Sequence, residues 1–249
     1  MFVRTPLSGG TFAYSTFCQA LSAAVAPVWL ARAGLLNDRL IAPHATNATD
    51  EDLALYAENG VSIVHCPLVS ARGGSILKSF SGLKARGINI AMGTDTTPPD
   101  MLMNLLVGLI TCRVADAVVD RVRSADLFDA ATLGGAKALG RDDIGSLAPG
   151  ARADIAVFGL DDMMMAPSID PITTLVTGGS GKVTQAVFVD GRLSMRFGDV
   201  AGIDMKAARQ RAQQQYDGLV AKYPERSWDH PPVSQIFPPS YPIEVNADG

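Results

Sequence analysis

The feature that most restricts how this chain can fold is a rhythm in its first half, where helix-like segments alternate with short β-branched runs that each end in a polar residue. Ala20 to Ala33 is helical in composition and meets a stop at Gly34, and Arg39 to Pro43 is an apolar run ending at His44. Thr49 reads as a helix N-cap, with Asp50, Glu51 and Asp52 where the helix dipole favours negative charge and Leu53, Leu55 and Tyr56 as an apolar stripe before Gly60. Val61 to Val64 ends at His65-Cys66-Pro67, Ile76 to Arg86 reads as a helix closed by Gly87, and Ile88 to Met92 runs into Gly93-Thr94-Asp95. Parallel strands need helical crossovers, so this alternation predicts an α/β fold with a parallel sheet.

Two more helices follow, Asp100 to Arg113 and Ser124 to Leu139, the second capped by Ser124 and stopped at Gly140. Leu102 to Ile110 is apolar but too short to cross a bilayer, and reads as one buried helix face. Beyond Gly145 the texture changes to short strands, Asp154 to Phe158, Gln185 to Val189 and Arg192 to Met195, and Val189-Asp190-Gly191-Arg192 is a hairpin signal. An amphipathic helix from about Asp204 to Tyr223 leads into a tail with Pro224, Pro231, Pro232, Pro238, Pro239 and Pro242, read as non-helical chain lying along a surface.

Composition sets the class. With 47% hydrophobic and 18% charged residues, the 249-residue chain can bury a sizeable core. A net charge of -4 with both signs interspersed offers no electrostatic footprint for nucleic acid or an anionic membrane, so neither is expected as a partner. The cysteines Cys18, Cys66 and Cys112 are odd in number and lack CxxC spacing, which fits reduced thiols and a cytoplasmic location. Met1 to Thr5 lacks the layout of a signal peptide.

Three consecutive strand candidates thus end in His44, His65 and Asp95, and in parallel α/β folds the carboxyl ends of the strands form the ligand-binding face. Singly, each has a plain structural reading: His44 as a helix cap, His65 as a satisfied core histidine, Asp95 as an N-cap ahead of Thr96 and Thr97. Jointly they favour chemistry, because imidazole transfers protons near neutral pH and a carboxylate both ligates a divalent metal and accepts a proton from water. Cys66 follows a strand and precedes Pro67 with no paired base, and reads as a buried structural thiol.

A family resemblance runs through these residues: Ala42-Pro43-His44-Ala45, Thr49-Asp50-Glu51-Asp52-Leu53-Ala54-Leu55, Val64-His65-Cys66-Pro67 and Met92-Gly93-Thr94-Asp95. It continues through Asp129-Ala130-Ala131-Thr132-Leu133-Gly134-Gly135-Ala136-Lys137-Ala138-Leu139-Gly140 and Ile144-Gly145-Ser146-Leu147-Ala148-Pro149-Gly150-Ala151-Arg152-Ala153-Asp154-Ile155. The series, closed by Asp170-Pro171-Ile172-Thr173-Thr174-Leu175-Val176 and Val187-Phe188-Val189-Asp190-Gly191-Arg192, resembles the amidohydrolase superfamily in its cytosine-deaminase and triazine-chlorohydrolase-like branch.

The resemblance implies the C-terminal part of a (β/α)8 barrel over residues 1–143, a segment of a small β-sandwich over 144–200, and a C-terminal helix with a Pro-rich tail over 201–249. It implies a metal-dependent hydrolase acting on a nitrogen heterocycle, a deaminase or chlorohydrolase, using a divalent ion that is zinc or alternatively iron or manganese. By resemblance Asp95 is the metal ligand and proton acceptor, His44 polarises the substrate or the attacking hydroxide, and His65 is a pocket residue or packs behind one. Thr96 and Thr97 are expected to bind substrate, since the loop to Met101 follows the last strand, with Pro98-Pro99 setting the approach of the next helix.

One departure bears on activity. The family's His-x-His pair and fifth-strand histidine have no counterpart, since the remaining histidine is His230 in the tail. Two expectations follow. In the first, the sequence belongs to a longer hydrolase whose preceding part supplies those ligands. In the second, it is a non-catalytic chain that pairs its open sheet edge with another chain, in an oligomer or a complex.

Overall fold

A computed structural model describes residues 27–168 and 170–241. The chain divides after Ala201 into two compact units, taken separately below.

The larger unit holds a parallel sheet of β1 (Ile41–Pro43), β2 (Ser62–His65) and β3 (Asn89–Met92), in the order β1-β2-β3. Ile41 pairs with Ser62, and His65 with Met92. β2 is central and closely covered, with Ser62, Ile63 and His65 all buried, as expected of a parallel strand that has a layer on each face. Helix α1 (Asp50–Glu58) joins β1 to β2; the Thr49 hydroxyl accepts from the Asp52 amide at 3.1 Å, and the Asp52 carboxylate accepts from the Thr49 amide at 2.9 Å. This reciprocal box satisfies two amide donors that the first helical turn leaves free.

Between β2 and β3 the chain forms α2 (Pro67–Arg72) and α3 (Phe80–Ala85). The expected helix from Ile76 to Arg86 is therefore shorter. The Ser79 hydroxyl accepts from the Gly82 amide at 2.9 Å and starts the helix there, while Leu77 is buried from a loop. Helix α2 was not expected; Pro67 at its first turn supplies a preset φ where a missing N–H costs nothing.

After β3 comes α4 (Met101–Asp116), capped by Asp100, whose buried face of Leu102, Leu105, Leu109 and Cys112 matches the expected apolar segment. The expected single helix from Ser124 to Leu139 is instead α5 (Ser124–Asp129), a π turn over Ala130–Gly134, and α6 (Gly135–Ala138). Ser124 is its first helical residue and not the cap. The Asp126 carboxylate accepts from the Arg123 amide at 2.8 Å and closes that end.

The π turn has a packing cause. Gly134 lies against β3 so closely that a Cβ there would stand 2.0 Å from the Ile90 carbonyl oxygen. Asn89 joins the two elements, its amide donating to the Gly134 carbonyl at 3.0 Å and to the Ser62 hydroxyl at 2.9 Å. The core of Ile63, Phe80, Leu83, Ile90, Leu105, Leu109 and Leu127 fills the space between sheet and helices.

The same unit contains an antiparallel sheet of β4 (Ile155–Phe158), β5 (Thr184–Val189), β6 (Arg192–Arg196) and β7 (Asp199–Val200), with α7 (Pro171–Gly178) between β4 and β5. Asp190 and Gly191 have φ of 51° and 75°, the two left-handed residues that a tight hairpin turn requires.

In the second unit, α8 (Met205–Ala221) starts at Asp204, whose carboxylate accepts from the Ala207 amide at 3.0 Å. The tail is not wholly extended: α9 (Tyr223–Arg226) and α10 (Val233–Ile236) are single turns that place Pro224 and Pro232 at or just before their starts, where proline is tolerated. The stretch 20–26 of the first expected helix, Cys18, the Met1 to Thr5 segment and Pro242 lie outside the described residues. Residues 27–32 are helical, and Gly34 follows at φ 68°. Among the described residues no helix is long and apolar enough to cross a membrane.

Candidate active site

The carboxyl edge of the parallel sheet carries all three predicted strand-end residues. Pairing runs one residue past the strands, with the His44 amide donating to the Val64 carbonyl at 2.8 Å and the Gly93 amide to the His65 carbonyl at 3.0 Å. Beyond that point the backbone reverses. His44, Ala45 and Asp95 have φ of 65°, 53° and 47°, a left-handed conformation that costs a side-chain-bearing residue about 1–2 kcal/mol.

This strain accompanies a contact. His44 Nε2 lies 3.3 Å from Asp95 Oδ2, with the His44 side chain 36% and the Asp95 side chain 61% exposed. His44 Nδ1 lies 3.5 Å from the hydroxyl of buried Ser70. The imidazole is thus held between a hydroxyl and a carboxylate, and one face of the pair is open to solvent.

His65 is placed differently. It is 1% exposed, between β2 and α4, with Nε2 3.5 Å from Cys112 Sγ and Nδ1 without a hydrogen-bond partner. Burial, and secondarily the charge of His44, push its pKa down to about 4. Gly108 of α4 packs alongside: a Cβ there would crowd Leu127 Cδ1 at 3.1 Å and Pro67 Cγ at 3.3 Å, with His65 Nε2 at an ordinary contact distance of 3.6 Å. His65 therefore lies beneath the open pair as a neutral ring.

Thr96 and Thr97 continue the chain beyond Asp95, and both are held by Arg72. Its Nη1 donates to the Thr96 hydroxyl at 3.2 Å and, more closely, to the Thr97 carbonyl. The loop's far end is fixed by Asp100, whose carboxylate accepts from the Met103 amide at 3.2 Å and the Gly181 amide at 2.8 Å. Cys66 is buried beside Gly93, and burial, followed by the Asp95 charge, raises its thiol pKa to about 11. A protonated thiol is a poor nucleophile, in line with the structural role expected for it.

Ser70, Arg72 and Asn104 are site-supporting residues that sequence reasoning did not find. Asn104 is fully buried, accepting from the Leu68 amide at 3.3 Å and donating to the Asp100 carbonyl at 2.9 Å. The Ser70–His44, Arg72–Thr96 and Asn104–Leu68 contacts span 24 to 36 positions, so no local pattern could mark them.

Asp95 supplies one oxygen donor, whereas a zinc ion takes about four ligands. Among the described residues no group of three His, Cys, Asp or Glu side chains is placed to hold a metal. The pair fits as part of such a site and not as a whole one. A cavity of about 150 Å³ lined by Ala45, Leu53, Lys78 and Arg86 does not include the pair, and neither does an open one of about 380 Å³ lined by Leu147, Pro149, Arg152 and Ile155.

Comparison with known proteins identifies relatives of the chain. The amidohydrolase family profile matches residues 18–194. A 5-methylthioadenosine/S-adenosylhomocysteine deaminase of Pyrococcus abyssi is 31% identical over 175 residues, covering 69% of this chain and 41% of that protein. Its counterpart in Pyrococcus horikoshii is 32% identical, covering 70% and 42%. Among solved structures, an adenosine deaminase from Xanthomonas campestris with bound zinc superposes with a TM-score of 0.73 at 31% identity, over 77% of this chain and 45% of that one. An atrazine chlorohydrolase from Arthrobacter aurescens complexed with zinc gives 0.67 at 25% identity, over 74% and 42%. The chain spans less than half the length of these relatives.

Proposed function

The chain belongs to the amidohydrolase family, and on that premise we propose that it carries the acid–base half of a hydrolytic site acting on a nitrogen heterocycle, with deamination of a purine nucleoside-like substrate favoured over dechlorination of a triazine. The observation that carries this reading is the His44–Asp95 pair at the carboxyl edge of a parallel sheet, both residues in left-handed backbone. The higher identity to the adenosine-type deaminases than to the chlorohydrolase favours the leaving group as ammonia. The parallel sheet is read as part of a (β/α)8 barrel, and the antiparallel sheet as part of a β-sandwich.

Asp95 would contribute one ligand to a divalent metal, zinc in first place, alongside donors that the described residues do not supply. Such an ion, when bound, makes water acidic enough to give up a proton near neutral pH. Asp95 Oδ2 accepts a proton from the attacking water. His44, in contact through Nε2, stabilises the charge that develops. Thr96 and Thr97 border the open side and contact substrate, and neutral His65 supports the floor.

The test measures ammonia release from 5-methylthioadenosine, S-adenosylhomocysteine and adenosine, and chloride release from atrazine, with zinc present. The protein assayed includes whatever polypeptide the DNA upstream of Met1 encodes in the same frame. Ammonia release that is lost in Asp95→Asn supports the proposal. Release unaffected by that substitution, or none from any substrate, overturns it.

A further inference from the structure

We infer that α2 is the positioning element of this site, with Ser70 orienting the His44 ring and Arg72 fixing the loop that carries Asp95. The inference rests on reading His44 and Asp95 as the reacting pair, and goes beyond it by assigning how the two are brought to one geometry.

Topology puts α2 in the right place. It follows β2, the centre of the three-stranded sheet, so it leaves the carboxyl edge between the ends of β1 and β3. One six-residue helix then reaches both: Ser70 lies 3.5 Å from His44 beyond β1, and Arg72 bonds Thr96 and Thr97 beyond β3. His44 and Asp95 have no shared backbone pairing of their own, and each adopts a conformation that persists only when its surroundings over-determine it.

The helix is itself anchored. Pro67 and Ser70 are buried, and the Leu68 amide donates to Asn104 on α4 at 3.3 Å. At its far end the Ser70 carbonyl accepts from the Ser75 amide at 3.0 Å and the Ser75 hydroxyl at 3.2 Å. Asn104 also accounts for the other end of the Asp95 loop, donating to the Asp100 carbonyl at 2.9 Å. The loop is therefore tied at Thr96–Thr97 by Arg72 and at Asp100 by the residue that ties α2.

Each contact has a chemical consequence. A neutral His44 ring that points Nε2 at a carboxylate does best with its proton there, which leaves Nδ1 as an acceptor for the Ser70 hydroxyl. Arg72 forms no ion pair among the described residues, so its hydrogen bonds in this structure are those to the Asp95 loop. Its planar fork holds two acceptors in fixed directions, which a lysine does less well.

The test uses the whole chain and reads position and not activity. The two ring nitrogens of His44 are followed by long-range proton–nitrogen correlation at fixed pH, and backbone order parameters are measured over residues 95–97. Ser70→Ala is expected to move the two nitrogen shifts toward each other as the tautomer preference weakens, and Ser70→Thr, which keeps the hydroxyl, to restore them. Arg72→Met is expected to lower the order parameters of residues 95–97 to below about 0.6 while that of buried Ile63 in β2 stays near 0.85, with Arg72→Lys recovering part of the loss.

Unchanged nitrogen shifts in Ser70→Ala overturn the role of Ser70, and unchanged loop order parameters in Arg72→Met overturn that of Arg72. Arg72 is exposed, so its variants keep the inference testable even where Ser70→Ala does not fold. Failure of the reaction assignment looks different: Asp95→Asn would retain full turnover while the ring and loop measurements stood.

Discussion

His44 and Asp95 meet at 3.3 Å although they extend from β1 and β3, the two outer strands of the parallel sheet, with β2 between them. Strands two apart are separated by about 10 Å, so straight continuation of the strands would not bring these side chains together. The left-handed turns at both strand ends are where the backbone leaves that course. The relationship makes one charged and one titratable group available on a single open edge.

Asp95→Asn is expected to lower turnover by roughly 10²–10⁴-fold, the usual contribution of a positioned proton acceptor. The side chain is 61% exposed, so the substitution should leave the unfolding midpoint almost unchanged. Steady-state kinetics beside a thermal melt check both parts; a large drop in melting temperature would make the residue structural and not catalytic.

The thiols of Cys66 and Cys112 should react slowly. Burial raises their pKa values to about 11 and about 12, with the charges of Asp95 and Asp116 adding to the effect. A thiolate fraction lower by about two orders of magnitude or more than that of a free thiol follows at mildly alkaline pH. Labelling with a disulfide reagent, read by mass spectrometry on peptides, should show both sites modified only as the chain unfolds.

Gly134→Ala is expected to destabilise the chain by at least about 2 kcal/mol, because the new methyl would overlap the Ile90 carbonyl on β3 and push the π turn away. Urea unfolding measures this. Gly135→Ala is the control, since a Cβ at that position meets nothing within 4 Å. Equal losses in the two variants would show that close approach to β3 is not the reason for the glycine.

Much of this architecture was legible because its signals are local. The β-branched runs, Thr49 ahead of three acidic residues, Gly60 and Gly87 at helix ends and the Asp190-Gly191 turn each act within a few residues of themselves. The strand ends placed His44, His65 and Asp95 on one edge by topology alone. What was not legible depends on contacts between distant segments: the break of 124–139 at the π turn comes from β3, and α2 with Ser70 and Arg72 matters through what it touches. Nor does sequence separate His44 from His65. One ring opens to solvent at 36% exposure and the other is sealed under α4 at 1%, against Cys112 of that helix.

That sealed ring gives the chain an acid-sensitive stability. An isolated imidazole titrates near 6.5, whereas burial, with the nearby His44 charge, lowers His65 to about 4. Above the first value neither state carries the proton and the stabilisation is fully present. As pH falls through the window between them, the unfolded chain takes up a proton that the folded chain refuses, so stability declines by up to roughly 3 kcal/mol and levels off once the folded ring titrates. Urea midpoints measured at intervals from neutral pH down to about 4 should trace that decline. His65→Asn, which removes the ring, should flatten this part of the profile whatever it costs in absolute stability. An unchanged pH slope in that variant would mean that other groups carry the acid sensitivity, and that the unpartnered Nδ1 is reached by protons in the folded state.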